Sequence, residues 1–402
     1  MRRIILTATF IISANCIAAS SNGEYIARIS DCVACHTKEN GDVMAGGKRF
    51  NTPLGDIFST NITPDVKEGI GAYSYEDFEM AVRKGIARDG HYLYPAMPYP
   101  SYARMKDEDV HDLYRYFMND VKASSQKNMQ EDIPWVLSPR WPLRIWNWMF
   151  VDKSDKVQTA AGNDARMIQR GKYLVEGPGH CGACHTPRGI GMQEKAYDNS
   201  DSIYLSGAMI DGWFAPSLRN GAIPAEELKD LLKKGRSKHS AITGPMSEVV
   251  TQSTQYLTDN DLNSISAYLS SLSDRKAVSG KVAAKEKTEA NNRVQGAGKT
   301  LYFRYCSTCH GVEGKGTDYN VPALVDNSSV TAEDPSNLIK VIAFGAETPV
   351  TQGHVPYKMP AYHGELNPGQ MRDVVNYIRG EWGNNDAPIG IKEINEIINQ
   401  DK

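Results

Sequence analysis

The chain has almost no cysteine to spare. Seven occur in 402 residues, and six of them fall in three copies of Cys-x-x-Cys-His, at Cys32/Cys35/His36, Cys181/Cys184/His185 and Cys306/Cys309/His310. The seventh, Cys16, lies near the N-terminus, so nothing remains for a disulfide framework. Positive charge is not in excess either. The 45 basic residues are balanced by 48 acidic ones, a net charge of −3, which sets nucleic acid aside as a partner. No apolar run reaches the length of a membrane span. No glycine fingerprint opens a strand, and no flavin-binding motif is visible. Substrate chemistry is therefore expected to reside in another chain.

What is present begins with a leader. Arg2 and Arg3 precede the short apolar run Ile4 to Ile12, and Ala18, Ala19 and Ser20 offer a cleavage site. Residues 1–20 read as a secretory signal peptide. Uncleaved retention and lipid modification of Cys16 are the lesser alternatives.

The three motifs are spaced like repeats, each behind a similar lead-in at Gly23, Gly171 and Gly298. Helix punctuation recurs in each unit. Ser74 to Asp77 and Thr258 to Asp261 read as capping boxes, Asn367-Pro368 opens another helix, and Gly85, Gly235 and Gly345 close helices. Pro224 and Pro335 open the middle helices of units two and three. Apolar residues at spacings of three and four follow, as in Val110, Leu113, Tyr114 and Phe117. No convincing run of alternating strands appears. The reading is all-α: three tandem domains at 21–120, 165–272 and 297–385. They are joined by an aromatic linker at 121–164 and a charged, solvated tether at 273–296, with a C-terminal tail at 386–402.

Cysteines three apart lie on one helical turn and reach the two vinyl groups of one porphyrin, while the adjacent histidine faces the iron. A zinc site would call for a second cysteine or histidine pair nearby. A redox dithiol would not need the histidine three times. The motifs thus imply three haem c groups, with Cys32, Cys35, Cys181, Cys184, Cys306 and Cys309 as covalent attachment sites. His36, His185 and His310 are the proximal iron ligands.

For the sixth ligand, Met97, Met246 and Met359 follow their histidines by 61, 61 and 49 residues, each before the closing helix in a loop containing proline. A thioether favours reduced iron and suits a respiratory carrier. Met105 is the rival in unit one. His91, His239 and His354 lie close before the methionines and would give bis-histidine ligation instead. His111, His180 and His363 are expected to be exposed.

With these motifs, and with Gly23-Glu24-Tyr25-Ile26-Ala27-Arg28, Asn61-Ile62-Thr63-Pro64-Asp65 and Tyr94-Pro95-Ala96-Met97-Pro98-Tyr99-Pro100, nearly the whole mature chain resembles the triheme cytochrome c subunit of bacterial membrane-bound alcohol, gluconate, sorbitol and fructose dehydrogenases. The resemblance implies a non-catalytic subunit at the periplasmic face of the inner membrane, in peripheral contact with it. It would pass electrons from a flavin- or pyrroloquinoline-quinone-dependent catalytic subunit to ubiquinone. The cytochrome of a molybdenum hydroxylase-type aldehyde dehydrogenase, a free-standing carrier and a haem peroxidase are the competing functions. The short tail carrying Ile389, Ile391, Ile394, Ile397 and Ile398 reads as a helix packed on unit three, with weak interfacial binding the alternative.

Four of the six tryptophans crowd one linker, at Trp135, Trp141, Trp146 and Trp148. Such a stretch is too apolar for a free tether. It either folds back between units one and two or forms a docking face for the dehydrogenase subunit or the membrane.

Overall fold

The computed structural model describes residues 22–136, 138–151, 162–219, 223–272, 289–317, 320–384 and 386–399. The expected signal peptide, Cys16 and most of the charged tether lie outside them. Helix accounts for 43% of the described residues.

The first group of elements is α1 (Asn22–Ile29), α2 (Cys32–His36), β1 (Arg49–Thr52), β2 (Gly55–Phe58), α3 (Tyr75–Lys84), α4 (Tyr99–Tyr102) and α5 (Asp107–Asn119). After α6 (Pro142–Phe150), a second group follows as α7 (Asn163–Glu176), α8 (Gly182–His185), β3 (Ala208–Ile210), β4 (Trp213–Ala215), α9 (Ala225–Lys234), α10 (Met246–Gln252) and α11 (Asp259–Ser271). The third is α12 (Glu289–Tyr305), α13 (Ser307–His310), α14 (Ser336–Phe344), β5 (Ala346–Glu347), β6 (Lys358–Met359), α15 (Pro368–Gly380) and α16 (Ile391–Asn399). Helix α12 begins inside the stretch read as a tether.

One crossing is built three times. Helix α1 packs on α5, α7 on α11 and α12 on α15. At each crossing the lead-in glycine lies flat against the partner. A Cβ on Gly23, Gly171 or Gly298 would fall 2.6, 2.7 and 2.7 Å from the Cβ of Tyr116, Tyr268 and Tyr377. Real Cβ atoms do not approach that closely, so these three positions admit only hydrogen.

The caps hold as expected, with one exception. Ser74 and Asp77 close a reciprocal capping box on α3, and Asn367 and Gln370 do so on α15. At α11, Thr258 accepts from the Asp261 N–H, but the Asp261 carboxylate does not return the bond. It takes two 2.8 Å hydrogen bonds from Arg170 and one of 2.7 Å from the Tyr25 hydroxyl. A charge-assisted fork outweighs a single bond from a backbone N–H.

The expectation of no strands needs correction. Each group carries a two-stranded antiparallel hairpin. In β3–β4, Ile210 faces Trp213 across an Asp211-Gly212 turn, with φ of 50° and 73°. That is the left-handed pair a tight hairpin requires.

The apolar cores number two among the described residues. One runs from Ile26 to Leu272 and joins the first two groups; the other runs from Tyr302 to Ile397. The first two groups are also stitched by Arg104, which bonds Glu176 at 3.4 Å and Asp198 at 3.0 Å. The second and third groups meet through hydrogen bonds, such as Asn337 with both the N–H and the carbonyl of Phe214. In the tail, Ile394 and Ile397 are buried, and α16 packs on α14 and α15.

Candidate haem sites

Each Cys-x-x-Cys-His motif forms a short helical turn delivered by the helix before it. The chain enters the first two turns through a left-handed residue, Asp31 (φ 54°) and His180 (φ 35°). The six thiols form no disulfides. Burial raises the pKa of Cys32. It pushes Cys35 and Cys181 up to about 12, and Cys306 up to about 11. A metal-binding or redox cysteine sits where its thiolate is favoured; burial disfavours it at these four. Among the described residues no group of three or more His, Cys, Asp or Glu side chains converges to hold a metal ion. The donor set therefore suits thioether attachment, in which the sulfur carries no charge.

The histidines share one device. The Nδ1–H of His36 donates to the Thr60 carbonyl at 2.7 Å, that of His185 to Pro216 at 2.7 Å and that of His310 to Pro322 at 3.1 Å. Burial lowers the pKa of all three against the pull of these bonds. A neutral imidazole with its Nδ1 proton committed to a carbonyl presents the Nε2 lone pair outward. That arrangement orients a metal-ligating histidine. The acceptors are backbone atoms, and no side-chain pattern in the sequence announces them.

Above His36 opens a cleft of about 1330 Å³, counting its open mouth. Cys32, Cys35 and His36 lie on its wall, as do Met97 and Met105, and Phe78, Leu113 and Phe117 contribute apolar surface. Its size and lining fit a porphyrin. Met97, Met246 and Met359 are each half-buried against their cores. Only Met97 stands in a loop of the expected kind; Met246 is the first residue of α10 and Met359 ends β6. The Met97 loop is anchored by buried Tyr99, which presses on Gly85, left-handed at φ 62°. Buried Arg83 bonds the carbonyls of Ala103 and Met105 at 3.0 and 2.8 Å and fixes the far end. Met105 is fully buried.

Among the competing histidines, His91 lines the cleft, with its Nδ1 2.5 Å from Asp89. The Nδ1 of His239 lies 2.5 Å from Glu227, and His354 is partly exposed. His111 and His363 are exposed as expected. His180 is not. It is half-buried, with its ring edge-on to Tyr102 at 5.5 Å, and burial lowers its pKa. The cause is that it abuts the first unit. Helix α10 packs on α2, and Lys48 donates to the Ala34 carbonyl at 2.9 Å and to Glu248 at 2.5 Å.

Residues 168–273 and 296–382 match the cytochrome c family. The cytochrome c subunit of alcohol dehydrogenase (quinone) from Komagataeibacter europaeus is 46% identical over 380 residues, 91% of this chain and 81% of that one. The gluconate 2-dehydrogenase cytochrome c subunit of Pantoea cypripedii is 46% identical over 382 residues, 91% of this chain and 86% of its own length. The fructose dehydrogenase cytochrome subunit of Gluconobacter japonicus is 35% identical over 408 residues, covering 94% and 82%.

Proposed function

The chain belongs to the family of cytochrome c subunits of alcohol, gluconate and fructose dehydrogenases, and from that premise we propose that it carries three haem c groups and relays electrons from a catalytic subunit to ubiquinone. The coarser facts come with the family: covalent haem c, electron transfer and a dehydrogenase catalytic partner. The finer reading is ours. The three units at 21–120, 165–272 and 297–385 are tandem cytochrome c domains. The partner uses flavin or pyrroloquinoline quinone. The complex works at the periplasmic face of the inner membrane.

The observation that carries the count of three is the Nδ1–carbonyl bond, present at His36, His185 and His310 alike. When attached, each haem supplies a one-electron iron couple. The residues do the rest. The cysteine pairs tether the porphyrin edge, and the histidines offer Nε2 from a fixed orientation. Met97, Met246 and Met359 offer thioethers that favour the reduced state. The core shared by the first two groups, with α10 packed on α2, supports a relay rather than three isolated sites.

Intact-mass measurement of the mature chain tests the count. We expect the increment of three haems in the wild type and of two after replacement of both Cys306 and Cys309 by Ala. A wild-type increment of two or fewer overturns the count. Co-purification tests the partnership: a chain that purifies alone and still accounts for all quinone reduction is not a dehydrogenase subunit.

A further inference from the structure

Helix α6 is held firmly by one face and bare on the other. The Trp146 indole N–H donates to the Gly191 carbonyl at 2.8 Å, and its ring meets Tyr99 edge-on at 6.1 Å. Asn147 accepts from the Tyr99 hydroxyl at 2.7 Å and donates to the Lys84 carbonyl at 2.8 Å. These contacts fix α6 against both of the first two groups. On the opposite side, Trp141, Ile145 and Trp148 follow one another at spacings of four and three and so form one stripe, with Met149 beside it. Trp141 is 68% exposed, Trp148 72% and the preceding Trp135 84%.

Charge along the stripe is sparse, and among the described residues the nearest carboxylates along the chain, Glu131 and Asp132, precede it. From residue 133 to 151 the chain holds Arg140 and Arg144 and no carboxylate. Arg140 is committed inward, over the Tyr94 ring at 4.3 Å, on the Tyr92 carbonyl at 3.1 Å and in an ion pair with the Glu131 carboxylate, which leaves Arg144 as the uncommitted cation of the stretch. Arg144 is exposed on the edge of the stripe.

We infer that this face binds an anionic lipid surface, with α6 lying in the headgroup plane. A protein partner of the usual kind receives aromatic anchors in pockets ringed by polar pairs of both signs. Here the aromatics project as a ridge with a cation at its border and no acid in the stretch. Tryptophan settles at the boundary between headgroups and acyl chains, and arginine pairs with lipid phosphate. At nine residues α6 is about 14 Å long, less than half of a hydrocarbon core of roughly 30 Å, so it lies on a bilayer rather than crossing it. Arg140, one residue before Trp141, lines the cleft above His36. The lipid face therefore starts at the edge of that cleft. The inference deepens the peripheral-membrane part of the proposed function and rests on it.

Vesicle flotation with the haem-loaded full chain tests it. One set of vesicles is phosphatidylcholine alone; the other contains phosphatidylcholine and phosphatidylglycerol in equal parts. We expect the wild type to float with the phosphatidylglycerol vesicles. Combined Trp141→Ser, Ile145→Ser and Trp148→Ser substitution should lower partition about tenfold or more. Arg144→Glu, which leaves every apolar contact in place, should lower it several-fold on phosphatidylglycerol alone. Wild-type protein that does not float, or variants that float unchanged, overturn the assignment. So does a triple variant that still floats but no longer co-purifies with the catalytic subunit, because the face would then belong to that subunit. Quinone reduction by the complex is read separately. Its loss with flotation intact counts against the electron-transfer reading, and its persistence without wild-type flotation counts against the lipid face.

Discussion

Met97 and Met105 both line the first cleft, in different surroundings. Met105 is sealed in the core, and its carbonyl is held by Arg83. Met97 is half-buried on a loop anchored by Tyr99. Met246 and Met359 are half-buried in the same way, and the repeat of position favours the exposed member of the pair as ligand. Met97→Ala should abolish one thioether–iron absorption band and lower one of the reduction potentials by on the order of 0.1 V, within the ~0.8 V range that axial ligands command. Met105→Leu, a volume-conserving change, should leave the spectrum intact and cost below about 1.5 kcal/mol. Absorption spectra and redox titration of the two variants separate the roles. A spectrum that changes with Met105 instead would reverse the assignment.

Among the elements, the crossing helices are the most exacting. Gly171 sits against the Ser264 carbonyl and Tyr268 with no room for a methyl group. Gly171→Ala should destabilise the first core by about 1–3 kcal/mol through overpacking, read as a lower denaturant midpoint. The same change at Gly364, where a Cβ meets nothing within 4 Å, should be close to neutral. The three motifs and most of the capping residues were legible in the sequence, because local chemistry dictates them; the lead-in glycines showed as a repeat, but the distant crossings that require them did not. The hairpins were not. They run two to four residues, too short to show alternation, although Asp211-Gly212 was a signal for one of them. The histidine acceptors escaped for a different reason: a carbonyl at Thr60, Pro216 or Pro322 has no identity in the sequence. The exposure expected of His180 failed because it depends on the neighbouring unit, which local pattern does not describe. For α6, the aromatic crowding was plain, but which tryptophan turns inward depends on Gly191 and Tyr99.

In the whole molecule, the joint between the first two groups is electrostatic as well as apolar. Asp198 shows how it responds to acid. Burial pushes its pKa up, yet hydrogen bonds from Ser200 and Arg104 overcome this and hold it at about 2. A carboxylate depressed on folding stabilises the fold above its unfolded pKa near 4, and that contribution is lost as pH falls through about 2. After discounting for partial exposure, the effect is about 1 kcal/mol. Asp198→Asn should flatten that part of the acid limb in a stability–pH profile; an unchanged limb would show that Asp198 does not govern it. The joint also has a history. Ribosomes make the chain from its N-terminus, but the Tyr25 hydroxyl waits for Thr258 and Asp261, which are 233 and 236 residues downstream. Until α11 is made, α1 has one flank without its final neighbours. The first motif is therefore presented early, on a scaffold still ajar, and the latch that closes over it is among the last pieces of that core to be synthesised.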